Sequence, residues 1–122
     1  MSPIQKIYSE VRRLCVELYG EDVVYDYIPG EVSYPYIHLG DQTSQNIREQ
    51  KDYIDRNTQI IIHVWHNDWK QRGELSNMMF EIEQKIIDEY GHDGELITSD
   101  ILTDDTTSTM LLHGILDIDI KI

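Results

Sequence analysis

The run Thr58–His66, TQIIIHVWH, constrains the fold more than any other segment. Strand periodicity puts Thr58, Ile60, Ile62 and Val64 on one face and Gln59, Ile61, His63 and Trp65 on the other. Large apolar groups occupy both faces, so an ordinary half-wet surface strand is excluded and each side needs cover. The run Thr109–Ile122 repeats the pattern. Met110, Leu112, Leu116, Ile118, Ile120 and Ile122 share one face, and Thr109, Leu111, His113, Ile115, Asp117, Asp119 and Lys121 share the other.

Two helices supply cover for one side. From Pro3 to Tyr19 the apolar residues Ile4, Ile7, Val11, Leu14 and Leu18 recur at helical spacing, with Ser2 as N-cap, Pro3 in the first turn and Gly20 as the stop. From Trp69 to Tyr90 a second stripe comprises Leu75, Met78, Met79, Ile82, Ile86 and Tyr90. Asn67-Asp68 offers its cap, and Gly73 leaves its first turns weak. The β-rich runs Val23–Ile28 and Tyr34–Gly40, divided by Pro29-Gly30, read as a pair of strands. Leu96–Leu102 reads as another, and Thr103–Ser108 as a polar turn before the last strand. The segment from Asp41 to Asn57 is polar and has no sustained period, which predicts a long mobile loop or a hairpin arm at about 41–57, and long segments of this kind are commonly functional. The expected fold is α+β over residues 1–122 as a single domain. Its order is α-β-β-loop-β-α-β-β, with a mainly antiparallel sheet of four to five strands and both helices packed on one face.

Composition narrows the function. Ten Lys and Arg against 23 Asp and Glu give a formal charge of −13. A surface so acidic does not hold nucleic acid by neutralising phosphates, and it is repelled by an anionic membrane. The apolar content of 40%, with 8 Tyr and 2 Trp, argues against disorder. A single cysteine, Cys15, rules out an internal disulfide and falls on the apolar side of the first helix. The start lacks the apolar run of a signal peptide, so an intracellular or particle-associated protein is expected.

Candidate chemistry is sparse. His63 and His66 have a metal-ligand spacing, but on a strand positions three apart point to opposite faces. Asp117 and Asp119 share a face, yet they sit in a regular strand with no Ser, Cys or His spacing to complete a nucleophilic site. The acids at Asp93-Gly94-Glu95 and Asp104-Asp105 lack the ligand series of a calcium loop and suit turns. No cofactor and no metal are expected. The remaining catalytic alternative is a small acidic, metal-assisted enzyme using His63 or His113 with Asp117. An inhibitor that mimics nucleic acid through its carboxylates is a further possibility.

Two surface features stand out. Ile61 and Trp65 on one strand, with Leu111 and Ile115 on the other, lie on the side away from the helices. Either a neighbouring subunit covers them, or the long segment or one helix folds across them. Charge is also segregated: every charged residue between Lys85 and Lys121 is acidic, whereas Arg48, Lys51 and Arg56 gather in the polar segment. That asymmetry suits head-to-tail association of identical chains.

The order of these elements, together with Tyr34-Pro35-Tyr36-Ile37-His38-Leu39-Gly40 and Gln59-Ile60-Ile61-Ile62-His63-Val64-Trp65, resembles the tail-completion family of long-tailed bacteriophages and prophages, also called tail-terminator or head-to-tail joining proteins. The resemblance spans nearly the whole chain and implies a virion assembly protein without catalysis. Its members form a homo-oligomeric ring, typically hexameric, on the head-proximal end of the tail tube. They stop tube growth and present a surface to a head connector or stopper protein. Genome DNA passes through without specific binding, and the acidity of the chain then keeps phosphates from sticking. The implied location is the virion head-tail junction, reached from the host cytoplasm. In that setting Ile61, Trp65, Leu111 and Ile115 are the expected subunit interface. Arg48, Lys51 and Arg56 are expected to contact a neighbour or the lumen.

Overall fold

The computed structural model describes residues 2–50, 53–91, 97–105 and 110–121, with backbone alone for 45–50 and 53–56. Helix α1 spans Pro3–Tyr19, with the Ser2 hydroxyl accepting from the Gln5 amide at 3.1 Å. It ends at Gly20, whose φ of 92° is the left-handed geometry that glycine adopts without penalty. Asp68 caps a short 3-10 turn, Trp69–Gln71, by accepting from the Lys70 amide, and α2 follows over Arg72–Tyr90. The weak start that Gly73 predicts is thus a tightened turn ahead of the helix. Gly91, at φ 93°, closes it.

Five strands form one sheet in the order β1-β2-β3-β5-β4, where β1 is Val24–Tyr25, β2 Tyr36–Gln50, β3 Tyr53–His66, β4 Ile97–Asp104 and β5 Leu111–Lys121. All pairings are antiparallel except β1 with β2. This is the expected α+β arrangement with a mainly antiparallel sheet. The first strand, however, is only two residues long, and Pro29-Gly30 does not join a hairpin. After Tyr25 the chain leaves the sheet, because the Asp26 carboxylate is held on α1 by the Tyr8 hydroxyl at 2.7 Å and Arg12 at 3.2 Å. Tyr27 and Ile28 are consequently exposed.

The described residues of the polar segment, 41–50 and 53–57, run in the ladder of β2 and β3, which pair from Tyr36↔Trp65 to Gln50↔Tyr53. Its lack of period has a local cause. A register shift at Gly40 exchanges the faces of β2, so that Ile37 and Leu39 point to the helices before it and Gln42 and Ser44 after it. Those polar groups are satisfied in place. Gln42 Nε2 donates to Thr58 Oγ1 at 2.9 Å and to the Ile4 carbonyl at 3.1 Å, and Ser44 donates to Thr58 at 3.0 Å. The fully buried Thr58 therefore carries no unmet demand.

Between the helices and the sheet lies the core: Ile7, Val11, Leu14 and Cys15 of α1, Leu75, Met78, Met79, Ile82 and Ile86 of α2, and Ile37, Leu39, Ile60, Ile62, Val64, Leu112, Leu116, Ile118 and Ile120 of the sheet. Burial pushes the Cys15 thiol up to about 12, so it is an inert apolar filler. Gly114 lets α2 approach β5: a Cβ there would meet Met79 Sδ at 2.5 Å. The helices are tied to each other by Tyr19 donating to Glu81 and Tyr90 donating to Glu10, both at 2.7 Å.

Candidate functional site: the open face of the sheet

Both helices pack on one side, and among the described residues no helix crosses the other. The register makes that open face readable as rungs. Tyr36, Trp65, His113 and Leu102 lie side by side on one rung. Tyr25, His38, His63, Ile115 and Asp100 form the next, and Asp41, Ile61, Asp117 and Thr98 the third. Leu111 continues the apolar end opposite Asp104.

The four expected interface residues therefore share this face, with Leu111, Trp65 and Ile115 towards its apolar end and Ile61 on the rung of Asp41 and Asp117. Ile61, Trp65, Leu111 and Ile115 are each half-buried on this face, and Leu102 on the edge strand is 51% exposed. The sequence reading put His63 and His113 on these strand faces, but it did not bring them together and it did not place Tyr25, Tyr36 and His38, which complete the patch. Trp65 stacks flat on His113, with ring centroids 3.8 Å apart and an interplanar angle of 7°. His113 lies 5.0 Å from His63, and His63 lies 5.6 Å from His38. Tyr36 packs between Tyr25 and Tyr34 at 5.9 and 5.2 Å. Alternation from Tyr36 to His38 was the signal that could have found them, had their strand been aligned with β3.

Several polar groups on the face are paired within the chain. His63 Nδ1 and His113 Nε2 are 2.7 Å apart, and His63 Nε2 is 3.1 Å from Asp41 Oδ2. Burial and the neighbouring His63 lower the His113 pKa from its usual 6.5, opposed by Asp104. Gln59 Nε2 donates to both oxygens of Asp117 at 2.7 and 2.8 Å, and Asn57 donates to Asp119 at 2.8 Å. The face thus has an aromatic and apolar end and an amide-bound carboxylate end.

This geometry gives the groups that the catalytic alternative requires other partners: His63, diagonal to Asp117 across β3 and β5, faces Asp41 and His113 instead. Asp117 is bound by Gln59 and stands four residues from His113 along one strand, roughly 13 Å at the strand rise. His66 points to the covered side, where it is buried, accepts from the Asp68 amide at Nδ1 and faces Glu74 at 3.2 Å. Among the described residues no group of three or more His, Cys, Asp or Glu side chains is arranged to hold a metal ion. No helix among them is long and apolar enough to cross a membrane.

Of the expected contact cations, Arg48 falls in β2 opposite Ile54, and Arg56 falls in β3 opposite Asn46. Lys51 lies outside the described residues. The β3–β5 ladder ends at Asn57↔Lys121, whereas the β2–β3 ladder continues to Gln50↔Tyr53, so both arginines sit in a two-stranded arm beyond the end of β5. A separate open groove of about 1270 Å3 runs between the helices and the 21–35 segment; Glu21, Asp22, Glu74 and Glu81 line it with Arg12. Glu81, Glu74 and Arg12 are already bonded to Tyr19, His66 and Asp26 respectively.

No family model matches the sequence, and no curated protein does. Solved structures do. A chain from the virion of a native gene transfer agent particle aligns over the whole of both chains with a TM-score of 0.57 at 10% identity. The gp17 protein of bacteriophage SPP1 aligns over 98% of this chain and 88% of its own with a TM-score of 0.50 at 23% identity. At these identities the likeness is one of fold, from the first helix to the last strand.

Proposed function

We propose that the protein is a tail-completion subunit of a phage, prophage or related particle, and that it acts by assembly rather than catalysis. The observation that carries this reading is the open sheet face with its aromatic and apolar end. It occurs on a fold shared with a chain of a gene transfer agent virion and with a phage protein. A chain that buries one sheet face under its own helices and leaves indole, imidazole and aliphatic groups half-covered on the other has a surface suited to a partner.

In this reading identical subunits join through Ile61, Trp65, Leu111 and Ile115 into a ring, sixfold by the family resemblance, on the head-proximal end of the tail tube. Head-to-tail contacts close a ring when the rotation between subunits divides a full turn, and a closed ring offers no surface for another tube layer. Tube growth then stops, and the far side of the ring receives the head connector or stopper. That the arm formed by β2 and β3 extends past β5 supports the reading in which Arg48 and Arg56, with Lys51 between them in the sequence, meet an acidic neighbour or the lumen. With a formal charge of −13 on each subunit, the ring repels DNA phosphates, so the genome passes without being held. The site of action is the head-tail junction of the particle.

Electron microscopy of the protein mixed with tail tubes tests this. The expected result is a ring at one end of each tube, with tube length no longer increasing when more tube subunits are added. Binding along the sides of the tube, or at neither end, would overturn the reading.

A further inference from the structure

The His63–His113 contact is not a passive stack. Only one of two nitrogens 2.7 Å apart can carry a hydrogen, so His63 Nδ1 and His113 Nε2 share one proton position between them. Asp41 fixes the other side of His63. A carboxylate accepts only, so His63 Nε2 at 3.1 Å carries a hydrogen in every state. When both rings are neutral, His113 Nε2–H donates to the bare Nδ1 of His63. When one proton is added, His63 is the cation, held by Asp41, and its Nδ1–H donates to a bare His113 Nε2. The geometry survives both states. A second proton puts two N–H groups and two charges face to face, and the pair must open.

The surroundings bear unevenly on that step. From β2, His38 lies 5.6 Å from His63 on one side, and Asp41 Oδ2 is 3.1 Å from its Nε2 on the other. From β4, Asp104 favours a charge on His113. Leu102 is opposite His113 and Asp100 is opposite Ile115. Trp65, flat against His113, turns any movement of that ring into a movement of the indole. Asp117 is held away by Gln59.

We propose that the His63–His113 pair makes association of the open face with a second copy of this chain depend on pH: the contact forms while the pair holds at most one extra proton, and it is lost when both rings are charged. The proposal rests on the reading of this face as the subunit contact. The second copy is the occupant because Trp65, the residue that the pair steers, is central to that contact. The sign is opposite to the background effect. Acidification towards the pI of about 4.5 reduces the repulsion between chains of charge −13 and by itself favours association.

The test compares wild type with His113→Gln, whose planar amide can stack on Trp65 and donate to His63 but takes no proton. The readout is the fraction of tail-tube ends capped, at about pH 7.5 and down to about pH 4.5, so that the interval takes in the lowered second step of the pair. Wild type is expected to lose about tenfold in apparent affinity over that interval, and the variant less than about threefold. Parallel loss in the two proteins, or no loss in wild type, overturns the proposal. Imidazole NMR of the isolated wild-type chain separates this from failure of the functional reading itself. Two coupled steps rather than independent ones, with His113 below its usual 6.5, are expected whether or not tubes are capped. Independent titration of the two rings removes the gate. No capping by either protein at about pH 7.5 removes the contact, and the proposal with it.

Discussion

The two faces of the sheet are built from the same strands and finish differently. On the covered face Ile60, Ile62, Val64, Leu116 and Ile118 are fully buried under α1 and α2, and the polar intruder Thr58 is satisfied by Gln42 and Ser44. On the open face Ile61, His63, Trp65, His113 and Ile115 are half-buried, packed sideways on each other and capped by nothing among the described residues. Burial of the first face drives folding, since each fully buried aliphatic contributes roughly 1.5–3 kcal/mol. The second face holds a fixed shape through stacking and hydrogen bonds along the sheet, which leaves its outward surface for a partner. In the proposed reading, stability and assembly therefore reside on alternate residues of the same strands.

Substitutions can break that division, and they are ordered here by expected effect. Leu116→Asp places an uncompensated carboxylate in the covered face and should cost about 4 kcal/mol or more, enough to abolish a cooperative transition in chemical denaturation followed by circular dichroism. Gly114→Val forces a side chain against Met79 and should cost about 1–3 kcal/mol. Combining it with Met79→Ala should cost less than the sum of the two, measurable as a double-mutant cycle. Gln59→Leu on the open face should lose only about 1–2 kcal/mol, the hydrogen bonds to a half-buried Asp117 carboxylate.

The smallest effect is a pH dependence of the isolated chain. The native pKa of His113 lies below the unfolded value of 6.5, so the unfolded chain binds that proton more tightly. Its stabilising contribution is whole above pH 6.5 and drains as pH falls through the native value. His113→Gln should flatten this part of the curve of unfolding free energy against pH, while an unchanged curve would assign the dependence to other groups.

Much of the covered face was legible from the sequence. The period of Ile60, Ile62 and Val64, the helical stripes, Ser2 as the first N-cap and Gly20 as the stop of that helix each report a local preference that the fold does not override. The β1 region was less legible, because an ion pair between Asp26 and Arg12 on α1, distant in sequence, pulls the chain out of the sheet after two residues. The strand character of 41–50 was hidden by the shift at Gly40, which reverses the alternation that strand reading depends on. The candidate patch was half visible. Ile61, Trp65, Leu111 and Ile115 follow from alternation within single strands, but the imidazole chain needs three strands in register, and no single strand contains that information.

The division between the faces is tested most directly by Trp65→Glu, which changes the open face and leaves the core contacts intact. The account predicts a chain with a folded circular dichroism spectrum and an unfolding free energy within about 2 kcal/mol of wild type. It also predicts that this chain no longer forms rings on tail-tube ends in electron micrographs. A folded variant that caps tubes as wild type does would contradict the assignment of this face to assembly.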